Sequence, residues 1–132
     1  MKTKLKDILG IAALGLIMLA TTTPTWAGKV YNAQVQLGSN QISRYASGSM
    51  VGARYSPDIW QYITCSAIAN GGLTTTECSA RNSTGYVACR SQDPKFQEVI
   101  HSMTDSSYVY FVADLNGNCT NIVIYHGSDL LK

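Results

Sequence analysis

Cys65, Cys78, Cys89 and Cys119 are the residues of this chain with the most chemistry open to them. Cysteine can staple a fold, ligate a metal or run a redox reaction. The gaps between the four are 12, 10 and 29 residues. Thiol oxidoreductases and most structural zinc sites need two sulfurs about two to four residues apart, because one turn must present both. No Cys-x-x-Cys occurs, and neither His101 nor His126 supplies the missing short spacing. An even count of four in so short a chain reads as two disulfides, with three possible connectivities. A local argument leans to Cys65–Cys78 and Cys89–Cys119. A strand, a loop and a second strand put Cys65 and Cys78 on neighbouring strands. Cys78 and Cys89 flank a hairpin turning at "NSTG", and their odd separation is expected to put them on opposite faces. A loop of the first kind is worth about 3 kcal/mol in the chain-entropy model.

The other reactive residues form no recognisable machinery. His101 and Asp105 are four apart and could share a helix face, as a base and its orienter would. His101 falls opposite the apolar stripe of that helix, and no Gly-x-Ser-x-Gly elbow supplies a nucleophile. His126 reads as an ordinary strand-end histidine. "DLNGN" (114–118) offers oxygens at alternate positions. A twelve-residue calcium loop beginning there, however, needs Gly and Glu where Cys119 and Tyr125 stand. A tight turn explains the stretch better. The glycine-punctuated "SGSMVGARYS" (47–56) lacks the strand–loop–helix context of a phosphate cradle. No catalytic, metal-binding or cofactor-binding residue is therefore assigned.

Tyrosine is the remaining signal. All eight tyrosines lie beyond residue 27, with Trp60 among them. Tyrosine gives rigid contact area with a polar tip, as recognition surfaces use, and it also suits half-buried strands. Tyr45, Arg54 and Tyr55, in the Gly/Ser-rich segment, are the candidate binding residues. Tyr108, Tyr110 and Tyr125 are expected on one side of the last hairpin, with Tyr110 mostly buried.

The N-terminus indicates the compartment. Lys2, Lys4 and Lys6 precede an apolar run at residues 8–20, and "TWA" places Thr25 and Ala27 at the small-residue positions of a cleavage site. This is the pattern of a secretory signal peptide. The run is shorter than the roughly 20 residues a spanning helix needs. The expected organisation is a signal peptide at 1–27 and one small globular domain at 28–132, without a membrane anchor after cleavage. Export to the periplasm or the medium places the thiols where disulfides persist. It also reassigns the charge. The net +2 of the whole chain falls to zero once the three lysines and Asp7 are removed. The remaining basic residues are scattered, which excludes the clustered patch that nucleic-acid binding requires.

The elements follow from periodicity. "KVYNAQVQL" (29–37) and "PDIWQYITCSAIA" (57–69) read as strands, "NGGLTTTE" as a loop, and "CSARN" with "GYVACRS" as a hairpin. A helix is expected over about 93–103, with Asp93 as N-cap and Pro94 at its first position. Phe96, Val99, Ile100 and Met103 make its apolar face. In the final hairpin, turned at Asn116–Gly117, Phe111 is expected opposite Ile122, Val109 opposite Ile124 and Asp114 opposite Cys119. Val109, Phe111, Ala113, Ile122 and Ile124 then face the helix. Tyr108, Tyr110, Val112, Val123, Tyr125 and Cys119 take the other side. The fold class is α+β: a mostly antiparallel sheet of six or seven strands with one helix in the C-terminal half, stapled by disulfides.

"GARYSPDIWQYITC", "CSAR", the Gly-x-x-x-Cys-Arg-Ser-x-Asp-Pro run, "DSSYVYFVAD" and "GNCTNIVIYHGS" together resemble a group of small exported proteins of Gram-negative bacteria. The resemblance covers about residues 48–128 and implies export and the four-cysteine fold; it carries over no active site. The Ser-Gly and Arg-Tyr of residues 47–56 also resemble the exposed loop of bacterial inhibitors of host lysozyme. The expected function is non-catalytic binding of a protein or carbohydrate partner. The alternatives are an inhibitor of a lysozyme or protease, and a small secreted hydrolase.

Overall fold

The computed structural model describes residues 31–130, so the expected signal peptide at 1–27 lies outside the described residues. Among the described residues, seven strands form two antiparallel sheets rather than one. The four-stranded sheet has the order β1 (Gln36–Ser39), β2 (Ser43–Ser49), β6 (Tyr108–Asp114), β7 (Cys119–Tyr125). The three-stranded sheet runs β3 (Tyr62–Asn70), β4 (Leu73–Asn82), β5 (Gly85–Ser91). Two helices carry the chain between them. After β2, α1 (Met50–Arg54) crosses to β3, and after β5, α2 (Pro94–His101) returns to β6. Among the described residues no helix is long and apolar enough to cross a membrane.

The first crossing was not expected from "SGSMVG", which has no apolar period. It forms because Ser49, wholly buried, caps α1: its Oγ accepts from Gly52 N at 2.8 Å and donates to Ala33 O at 3.2 Å. A Cβ on Gly52 would run into the Ala33 carbonyl, so only glycine allows this approach. The expected strand over 29–37 is confined, within the described residues, to Gln36 onward; residues 31–35 carry no strand. The second crossing follows its sequence signals. Asp93 accepts from Lys95 N at 2.9 Å, Pro94 opens the helix, and Ile100 is buried with Phe96, Val99 and Met103 against the core.

The core lies between the sheets. Ala46, Val109, Phe111, Ala113 and Ile122 face inward from one, and Ile63, Cys65, Cys78, Ala80, Val87 and Cys89 from the other. Both expected disulfides form, Cys65–Cys78 within the three-stranded sheet and Cys89–Cys119 between the sheets. Cys65 and Cys78 stand on neighbouring strands, as expected, but Cys78 and Cys89 are not on opposite faces. Cys78 stands directly opposite Cys89, as it does opposite Cys65, and all three point inward. With a two-residue turn at Ser83–Thr84, directly opposed residues share a face whatever their separation in sequence.

The last hairpin carries two compensating irregularities. Its loop is three residues, not two: Asp114 O accepts from Gly117 N at 3.1 Å and Asp114 N donates to Asn118 O at 2.9 Å, with Gly117 at φ +82. A type I turn followed by a left-handed glycine is the usual three-residue solution. It shifts the register, so Cys119 stands opposite Ala113 rather than Asp114; a bulge then restores the expected pairs Phe111–Ile122 and Val109–Ile124. The extra residue leaves Thr120 exposed and turns Cys119 inward to reach Cys89, not outward with the tyrosines.

Candidate binding surface

The three-stranded sheet leaves its outer face open. Tyr62, Arg81 and Tyr86 stand directly opposite one another across β3, β4 and β5, all pointing away from the core. Tyr62 is 41%, Trp60 55% and Tyr86 53% exposed. The Arg81 guanidinium lies over the Trp60 ring, 4.8 Å from its centroid, in the geometry of a cation–π contact.

Asp58 holds this arrangement together. Its Oδ1 accepts from Trp60 N at 2.9 Å and its Oδ2 from Ser83 N at 2.7 Å, tying the approach to β3 onto the β4–β5 turn. The Trp60 N–H, then the Ser83 groups and the Arg81 charge, keep the Asp58 carboxyl below its ordinary value of 3.8. Because the folded pKa is depressed, this contribution to stability is present above the unfolded pKa. It is lost as pH falls through the folded value. The expected result is a steeper loss of stability below about pH 4 for the natural chain than for Asp58→Asn, whose side chain does not titrate. Urea midpoints at pH 7 and pH 3 measure it. Parallel acid limbs would contradict the role given to Asp58.

The chain matches no family model, no curated protein and no solved structure. The other end of the same face is an aliphatic arm. Beyond the core, β3 and β4 continue as a two-stranded ribbon whose residues 66–73 are all exposed. Gly71 and Gly72, at φ +59 and +85, make its two-residue turn, as hairpins of this twist require. The stretch expected to be a loop is therefore the end of this hairpin. Ile68 and Leu73 lie exposed on its outer face, the Cys65–Cys78 bond closes its base, and Gln97 of α2 donates to Thr74 O at 3.0 Å. Between the arm and the aromatic end, Glu77 and Arg90 pair at 3.0 Å.

The three residues singled out from the sequence do not converge. Arg54 and Tyr55, at the end of α1, line an open cleft of about 580 Å³ with Thr104, Asp105 and Ser106. Tyr45 lies elsewhere, on the outer face of the four-stranded sheet. Its ring covers Gly38 on β1 and stands 6.4 Å from that of Tyr110. Tyr110 is mostly buried, as expected, although among the described residues no second sheet covers this side; Val123 and Tyr125 beside it are 44% and 49% exposed.

The histidines take structural positions. His101 is exposed on α2. His126 Nδ1 lies 3.1 Å from Ser107 Oγ, superficially a nucleophile and its base. Ser107 is wholly buried and its oxygen accepts from Thr104 N, while the second ring nitrogen meets Ser102 Oγ at 3.4 Å instead of a carboxylate. A triad needs an accessible nucleophile and an acid behind the base. This contact closes the turn before β6. The Asp114 oxygens are likewise taken by its own turn, accepting from Asn116 N, Asn118 N and Asn118 Nδ2.

Proposed function

We propose that this protein is an exported, non-catalytic binding module that grips a protein partner with the outer face of its three-stranded sheet. The observation that carries this reading is the row of Tyr62, Arg81 and Tyr86 with Trp60 stacked on it, held rigid by the ladder and left uncovered. Trp, Tyr and Arg dominate the energetics of protein interfaces. Ile59, 88% exposed next to Trp60, favours a protein over a glycan. A sugar stacks on flat rings, and a branched aliphatic side chain offers none. The apolar N-terminal segment and the oxidised cysteines support export, consistent with the resemblance to small exported proteins of Gram-negative bacteria.

An inhibitor is the second reading, and the arm favours it. A two-stranded ribbon with an aliphatic end, clamped at its base by a disulfide, has the shape and stiffness to enter a cleft. It stands at 66–73 and not in the 47–56 segment that resembles the loop of lysozyme inhibitors.

The test is capture of partner from the extract of the producing cells, comparing the natural protein with Trp60→Ala, Tyr86→Ala and Leu73→Ala. Trp60→Ala and Tyr86→Ala are expected to leave thermal stability nearly unchanged and to weaken capture by about 1–3 kcal/mol, as hot-spot truncation does. Undiminished capture by both would place the binding surface elsewhere. Loss confined to Leu73→Ala would select the inhibitor reading.

A further inference from the structure

We propose that Arg81 is the receptor for a carboxylate of the protein partner, an Asp or Glu side chain set among apolar groups. This rests on the reading of the three-stranded face as the binding surface. Two arginines stand on that face. Arg90 is directly opposite Glu77 and its Nε meets Oε2 at 3.0 Å. Arg81 has the same kind of position on the same ladder, but its cross-strand neighbours are tyrosines on both sides. Among the described residues it has no ion-pair partner. The acid whose charge it feels, Asp58, spends one oxygen on Trp60 N and the other on Ser83 N.

The stacking decides how this cation can be used. The centre of the guanidinium lies over the Trp60 ring, 4.8 Å from its centroid, and among the described residues no acceptor occupies its N–H donors. Those donors form a fork that matches a carboxylate with two parallel hydrogen bonds. A side chain already fixed against an indole loses less rotamer freedom on binding. The surroundings select among anions. A phosphate brings close to two negative charges, and Arg90, the other cation of the face, is already neutralised by Glu77. A single carboxylate balances Arg81 alone. Tyr62, Tyr86, Trp60 and Ile59 give an apolar rim that excludes water from the pair, so the partner's acid must itself sit among apolar groups.

The test uses the full ¹⁵N-labelled chain, following the indole N–H of Trp60, assigned with Trp60→Phe, and the Nε–H of Arg81. The probes are acetyl-Phe-Glu-Phe-amide, acetyl-Phe-Gln-Phe-amide, phosphoserine and galacturonate. The Glu peptide is expected to move both signals saturably, at least tenfold more tightly than the Gln peptide. Arg81→Gln is expected to abolish that preference, and Arg81→Lys to weaken it because the fork is lost. Equal response to the Glu and Gln peptides, or a stronger response to phosphoserine or galacturonate, would overturn the assignment. No response to any probe, with partner capture still lost in Trp60→Ala, would overturn the carboxylate and spare the surface. Retained capture in Trp60→Ala and Tyr86→Ala would remove the surface itself.

Discussion

Replacing Cys89 and Cys119 together by alanine is expected to cost about 2–5 kcal/mol of stability, the usual range for a native disulfide in a small domain. This bond is the only covalent link between the two sheets besides the chain itself, and it closes a separation of 30 residues. The Cys65–Cys78 bond closes 13 within one ladder. Loop length alone separates the two by little, since doubling a loop changes its closure entropy by only about 0.6 kcal/mol. The Cys89–Cys119 variant is nevertheless expected to be the more damaged. Losing its bond frees β5 from the turn before β7, where Arg90 N donates to Gly117 O at 2.9 Å. Denaturant unfolding of both double variants measures the difference. A loss below about 0.5 kcal/mol would mean that packing alone holds the junction.

Phe111→Ala is expected to cost about 3–5 kcal/mol, as large-to-small changes in a filled core do. Phe111 is wholly buried on β6, opposite Ala46 on one side and Ile122 on the other. Both neighbours are aliphatic and held by their ladders, so neither can swing into the space an alanine leaves. Tyr110, one residue earlier, points outward and is not fully buried. Truncating it removes contact area without opening a cavity between the sheets. Urea unfolding of the two variants side by side is the measurement. If Phe111→Ala cost no more than Tyr110→Ala, the assignment of inner and outer faces on β6 would be wrong.

Those faces were legible in the sequence, because alternation along a strand is fixed by the pleat and Phe111, Ile122 and Val109 leave little choice. The helix at Pro94–His101 was legible from its cap and its apolar period. Two things were not. The division into two sheets depends on β2 joining β6 instead of β3, and no local pattern records a partner so distant in the chain. The Trp60 row was hidden by one misreading. Gly71–Gly72 is itself a two-residue hairpin signal, and treating "NGGLTTTE" as a loop concealed that Tyr62 falls opposite Arg81. The bulge at Thr120 left no trace either, since a threonine among β-formers looks like any other strand residue.

The inward row of Cys65, Cys78 and Cys89 has a consequence for how the protein is made. The middle thiol has a neighbour directly across from it on each side, but the two sides differ: Cys65 stands close, with Cα atoms 4.0 Å apart as in a non-hydrogen-bonded pair, whereas Cys78 meets Cys89 as the wider hydrogen-bonded pair, so local geometry already favours the Cys65–Cys78 bond. Polarity of synthesis would act in the same direction. In a chain that emerges N-terminus first, the first two thiols meet before the third exists, and they are joined by the tightest of turns. Cys89, emerging later, would find Cys78 already joined to Cys65 and pair with Cys119. The order of the cysteines along the polypeptide thus serves as an assembly instruction. A circular permutant opened at Gly71–Gly72 would lose it, presenting Cys78 to Cys89 first.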